Sequence, residues 1–200
     1  MLYNRVVRAF RRTAPFAMAL ALVLGCGDPG DPAPPAAPAS PAPTPALATT
    51  APPGVFSVTD TAWLQLAIAM DERALTMLDL VPARTQDPAL EELARRLAAE
   101  HREELARLEA LHARSGGPTT NPHEGHDMPG MATGETIKAL RAATGTDTAY
   151  IFTTAMRAHI DQSILLAQGE QRSGTEPEAK ALAAEIERSR TDQRGRLDAL

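Results

Sequence analysis

Two stretches of the chain, PALEELARRLAAEHREELARLEAL at residues 88–111 and PEAKALAAEIERSRTDQRGRLDAL at residues 177–200, align without a gap at a shift of 89 positions. Pro88 falls on Pro177, Leu93 on Leu182, Ala94 on Ala183, Leu97 on Ile186, Arg107 on Arg196, Leu108 on Leu197 and Leu111 on Leu200. Each stretch carries apolar residues at spacings of three and four, the period of an amphipathic helix, and each opens with Pro in its first turn. The preceding segments match as well. Asp60-Thr61-Ala62-Trp63 pairs with Asp147-Thr148-Ala149-Tyr150 at a shift of 87. A helical hairpin that recurs once cannot bury its apolar face alone, so two copies must pack together. The repeat predicts an all-α fold, a four-helix bundle of two repeated hairpins over residues 58–200.

The first helix is expected to open near Thr59-Asp60, to carry Leu64, Ile68, Leu75 and Leu78 on one face, and to end at Pro82, whose ring bars continuation. The second has Asp87 as cap and stops at Gly116-Gly117-Pro118, so repeat one spans 58–114. A connecting region, 115–145, holds a loop and a short helix near Glu135 to Ala143. Repeat two, 146–200, starts at Thr146-Asp147 with a helix carrying Tyr150, Phe152, Met156, Ile160 and Ile164 and ending at Gly174. Its last helix is expected to start on Thr175 and Glu178 in capping-box spacing.

Upstream the composition changes twice. Arg5, Arg8, Arg11 and Arg12 precede an apolar run from Ala14 to Leu24, too short to span a bilayer but suited to an export signal. The run ends in Val23-Leu24-Gly25-Cys26, which resembles a bacterial lipobox, and Cys26 is the sole cysteine of the 200 residues. Residues 1–25 therefore read as a lipoprotein signal peptide and Cys26 as the lipidated first residue of the mature chain. That implies an extracytoplasmic protein held at the cell envelope by a lipid anchor. Residues 26–57 follow as a linker. Gly27 to Gly54 holds ten of the seventeen prolines and almost no large apolar side chains, so it reads as a disordered Pro/Ala-rich tether with extended polyproline character.

Composition narrows the chemistry. A single cysteine excludes a disulfide framework and multi-cysteine metal sites. Removing residues 1–25 takes away four arginines and no acids, moving the formal charge from −5 to −9. That balance argues against nucleic acid as a partner, and membrane attachment must then come from acyl chains. Neither a nucleophile elbow, a phosphate loop nor a His-Glu-x-x-His helix is present, and Glu109-Ala110-Leu111-His112 is a lone Glu-x-x-His where a di-iron centre needs two. No catalytic residues are assigned, and the expectation is a non-enzyme.

Two sets of side chains could hold a metal ion. The loop places His123, His126, Met128 and Met131 within nine residues, a mixture of imidazole and thioether suited to Cu(I), with the imidazoles open to Cu(II) or Zn(II). The same residues equally make a solvent-exposed spacer. The second set is Asp71, His101, Glu104 and His159, which interrupt apolar helical faces. Groups of this kind in a core must pair, contact water or bind an ion. A hydrogen-bonded polar layer and a metal site both satisfy that demand. At the 89 shift His101 falls on Arg190, Glu104 on Gln193 and Met70-Asp71 on His159-Ile160. Met70, Met77 and Met156 read as core filler.

In these residues the chain resembles the domain of unknown function 305 family, whose repeats carry Asp, an aromatic, Met, a His-His pair, a small residue and Met on the first helix. Asp147, Tyr150, Met156, His159 and Ser163 follow the pattern in repeat two, with Ile160 at the second His and Leu166 at the later Met. In repeat one the His-His pair is Met70-Asp71, while Ala74 and Met77 fit. Residues 121–131 are similar to the inter-repeat segment of some members. The resemblance implies a ferritin-like bundle, a secreted location, and binding of copper or another metal in homeostasis or tolerance. It leaves open a second role, a non-catalytic interaction or structural module at the envelope whose metal sites have decayed. The protein partner is not specified by either.

Overall fold

The computed structural model describes residues 55–123 and 125–200, and the expected signal peptide, Cys26 and all but the last residues of the tether lie outside them. Five helices make up the described chain: α1 Val58–Leu80, α2 Pro88–Ser115, α3 Gly134–Ala142, α4 Thr146–Ser173 and α5 Pro177–Asp198, with a 3-10 turn at Val81–Ala83 after α1. No strand occurs among the described residues. The two expected hairpins, α1 with α2 and α4 with α5, pack together as a four-helix bundle, and α3 crosses beside α1 and α4.

Local chemistry sets the helix ends. Ser57 begins α1 through a reciprocal cap in which its hydroxyl accepts from the Asp60 N–H and Asp60 accepts from the Ser57 N–H. Helix α1 starts at Val58, one residue before the expected Thr59, and the folded domain extends ahead of the expected residue 58: Phe56 packs against the core, and the Val55 carbonyl accepts from the Thr175 hydroxyl. Asp87 caps α2 by accepting from the Ala89 and Leu90 N–H groups, as expected, and Gly116 ends it in the left-handed conformation at φ 67°. The cap of α5 differs from expectation. Glu176, not Thr175, accepts from the Ala179 N–H, because Pro177 occupies the first turn and Thr175 is drawn away to Asp60. Tyr150 is a second correction. It is 73% exposed, pointing away from the face that buries Phe152, Met156 and Ile160.

The interior is divided. One apolar cluster joins Met77, Leu78, Leu90, Leu97, Phe152 and Met156. The other joins Trp63, Leu64, Leu108, Leu111, Leu182 and Ile186. Every long helix places polar residues between these clusters: Asp71 on α1, His101 and Glu104 on α2, His159 and Ser163 on α4, and Arg190 and Gln193 on α5. Met70, Met77 and Met156 are buried as filler.

Candidate metal centre

The polar layer lies mid-bundle, with one buried charged or imidazole group from each long helix. Asp71, His101, His159 and Arg190 are all 0–2% exposed. His101 Nδ1 lies 3.0 Å and His159 Nε2 3.8 Å from Asp71 Oδ1. One ligand atom from each of Asp71, His101 and His159 can be chosen so that all fall within 4.8 Å of one another, a candidate metal triad. The two imidazole rings are 5.1 Å apart between centroids. Glu104, the fourth expected member, stands at the edge of the layer and joins through Arg190.

Electrostatics shape the protonation states. Burial pushes His101 down to about 3, helped by the Arg190 charge, and burial also holds His159 well below its ordinary value. Both imidazoles are therefore neutral near pH 7, the form that ligates metals. Burial raises Asp71 to about 6 against the pull of Arg190, and raises Glu104 to about 7. Asp71 Oδ2, His101 Nε2 and His159 Nδ1 are buried without a hydrogen-bond partner. Beside them a cavity of about 10 Å³, lined by Asp71, Met70, Glu104, Ser163 and Arg190, has room for about one water or ion. Two neutral imidazoles and a carboxylate in one buried layer fit a first-row divalent ion.

Arg190 is the residue that sequence reasoning passed over. Its Nη2 donates to Asp71 Oδ1 at 2.9 Å and to Glu104 Oε1 at 2.6 Å, and lies 3.3 Å from His101 Nδ1. The repeat carried the signal, since Arg190 is the counterpart of His101 and a bundle with twofold internal likeness buries both. A second buried pair was also missed. Asp60 and Glu170 are 0% and 1% exposed, bringing two carboxyls together where α1, α4 and α5 meet.

The four residues of the loop set differ in burial. Asn121 ties the loop to α1 by donating to the Gln65 carbonyl, and Arg73 on α1 reaches the Ala132 carbonyl. Met131 is buried against Ala69 and Met70, with Met128 packed beside it. His126 is exposed, while half-buried His123 borders a separate groove of about 700 Å³ along Trp63, Leu66 and Leu165. Gly130 permits the close packing: its φ is 79°, and a Cβ there would strike Gln162 on α4.

Residues 60–200 match the sequence model of the family described as Domain of unknown function (DUF305). The chain belongs to this family. A DUF305 fragment from Deinococcus radiodurans has a similar structure, with a TM-score of 0.66 at 18% identity over 72% of this chain and 96% of that one. A DUF305 protein from Streptomyces coelicolor, described as secreted, gives a TM-score of 0.63 at 21% identity over 70% of this chain and 89% of its own. A two-domain protein from Anabaena variabilis, with DJ-1/ThiJ/PfpI-like and ferritin-like domains, gives 0.54 at 20% identity over 72% of this chain and 40% of that longer one. The DUF305 bundle described here is thus ferritin-like in fold. No curated protein matches the chain in sequence. Among the described residues no helix is long and apolar enough to cross a membrane.

Proposed function

We propose that this DUF305 chain is a membrane-anchored extracytoplasmic lipoprotein that binds a metal ion within its bundle and serves metal homeostasis or tolerance. The observation that carries the reading is the convergence of buried Asp71, His101 and His159, supplied by three helices. Copper is the favoured ion, because a nitrogen and oxygen set binds Cu(II) more strongly than the other common divalent ions. The half-buried thioether of Met128 adds a softer donor for Cu(I) in the loop. In this reading the role is binding rather than catalysis, in keeping with a sequence that carries no nucleophile or acid-base motif. Cys26, following the apolar run, supplies the anchor, and the Pro/Ala tether holds the bundle off the bilayer.

The test is a chelator-competed titration of the full chain in mild detergent with Cu(II), Cu(I) and Zn(II). One tightly held ion per chain, lost in His101→Ala and His159→Ala but kept in His123→Ala and His126→Ala, supports the core site. Absence of tight binding for all three ions refutes metal handling. Membrane fractionation of Cys26→Ser tests the anchor, which predicts release of the chain.

Arg190 favours a second reading, in which the bundle is a non-catalytic interaction or structural module and the ancestral site has become an ionic layer. A unit charge about 4 Å from another at protein-like dielectric interacts by roughly 4 kcal/mol, so the guanidinium is a serious competitor for a metal ion.

A further inference from the structure

Arg190 Nη2 sits where the candidate ligands converge, within 3.3 Å of both Asp71 Oδ1 and His101 Nδ1. From this placement we infer that Arg190 is a resident cation of the metal site, and that a metal ion enters by exchange, taking Asp71 while the guanidinium withdraws onto Glu104. The inference rests on the core site proposed above and concerns how that site is controlled.

Four observations carry it. Arg190 already spans two carboxylates: Nη2 reaches both Asp71 and Glu104, and Nη1 holds Glu104 Oε2 at 3.1 Å and Gln193 Oε1 at 3.4 Å. Asp71 is 2% exposed and Glu104 11%, so the second carboxylate lies on the outward side of the first. The withdrawn guanidinium would keep a bidentate partner and the glutamine, so no charge is stranded by the exchange. A small cavity borders Asp71, Glu104 and Arg190 together, so the three groups are not fully packed in. Finally, the repeat places His101 at the equivalent position of the other hairpin, a neutral ligand where α5 has a fixed cation. One hairpin offers a ligand and the other a competitor for the same site.

The experiment compares Cu(II) and Zn(II) affinity in the full chain and in four variants, with helicity and melting recorded for each. Arg190→His should bind at least 100-fold more tightly than the parent, and Arg190→Lys, which keeps the charge, should gain less than tenfold. Glu104→Gln, which removes the refuge, should weaken binding by about tenfold in the parent but have no effect in the Arg190→His background. Equal affinity in the parent and Arg190→His would overturn the exchange while leaving the metal site standing. Comparable gains in Arg190→His and Arg190→Lys would overturn it too, since loosened packing would then explain the effect. A parent that binds nothing alongside a tight Arg190→His variant would support the resident cation and refute metal handling by the natural chain. No binding in any folded variant would refute both.

Discussion

Asp60, in the first turn of α1, accepts hydrogen bonds from the N–H groups of Thr175 at 2.8 Å and Glu176 at 3.2 Å, residues 115 and 116 positions later. One carboxylate therefore closes its own helix through Ser57 and fixes the entry to α5. Burial alone would raise it, but hydrogen bonds from Glu170, Ser57 and Glu176 outweigh that and hold it well below the usual carboxylate range. Replacing Asp60 by Ala orphans several donors at once. A loss of roughly 3 kcal/mol in urea unfolding is expected, whereas the counterpart Asp147, which is exposed, should tolerate Ala within about 0.5 kcal/mol.

Glu170 makes the same junction pH-dependent. Burial, then the neighbouring Asp60 carboxyl, pushes its carboxyl from the ordinary 4.5 up to about 8, so near neutrality it is protonated beside Asp60. A raised folded value means the folded state holds the proton more tightly. The resulting stability is fully present below pH 4.5 and is lost as pH rises through about 8. Glu170→Gln keeps the donor and removes the titration. The stability of the parent relative to this variant should fall by roughly 2 kcal/mol or more between pH 5 and pH 9 in denaturant titrations.

Gly174 faces this carboxyl pair. Its φ of −69° suits any residue, so the requirement is one of space: a Cβ would meet the Glu170 carboxyl and stand 2.7 Å from Asp60 Oδ1. Gly174→Ala should cost about 2 kcal/mol. In a double-mutant cycle with Glu170→Ala, which clears the space, most of that penalty should disappear.

In the central layer, Asp71→Ala leaves Arg190 and His101 without their shared partner. Removing one partner of a buried ion pair costs about 3–5 kcal/mol, and calorimetry should find the variant that much less stable at neutral pH. A loss under about 1 kcal/mol would mean that Glu104 alone satisfies Arg190.

The loop separates packing from ligation. Met131→Ala should destabilise by about 2 kcal/mol, because its side chain fills the space against Ala69 and Met70. His126→Ala, at an exposed position, should leave unfolding unchanged. If copper affinity nevertheless drops in the His126 variant, the loop is a ligand set in its own right.

Much of this architecture follows from periodicity that any reader of the chain can recover. Helix period, the 89-residue repeat, the Asp87-Pro88 start and the Gly116 stop are local, and local signals survive because capping and amphipathicity act within a few residues. Asp71, His101, Glu104 and His159 were legible as candidates for the same reason: each breaks an apolar stripe. Which charges meet was beyond local reading. Arg190 looks like any solvated helix arginine until α5 is laid against α1 and α2, and Glu170 looks like a surface acid until α4 meets Asp60. Burial in a folded core lowers the local dielectric, turning ordinary side chains into a resident cation and a neutral acid, and that environment exists only once four helices share one interior. The sequence by itself determined the helices and their pairing, and the tertiary structure decided which polar groups they bring together.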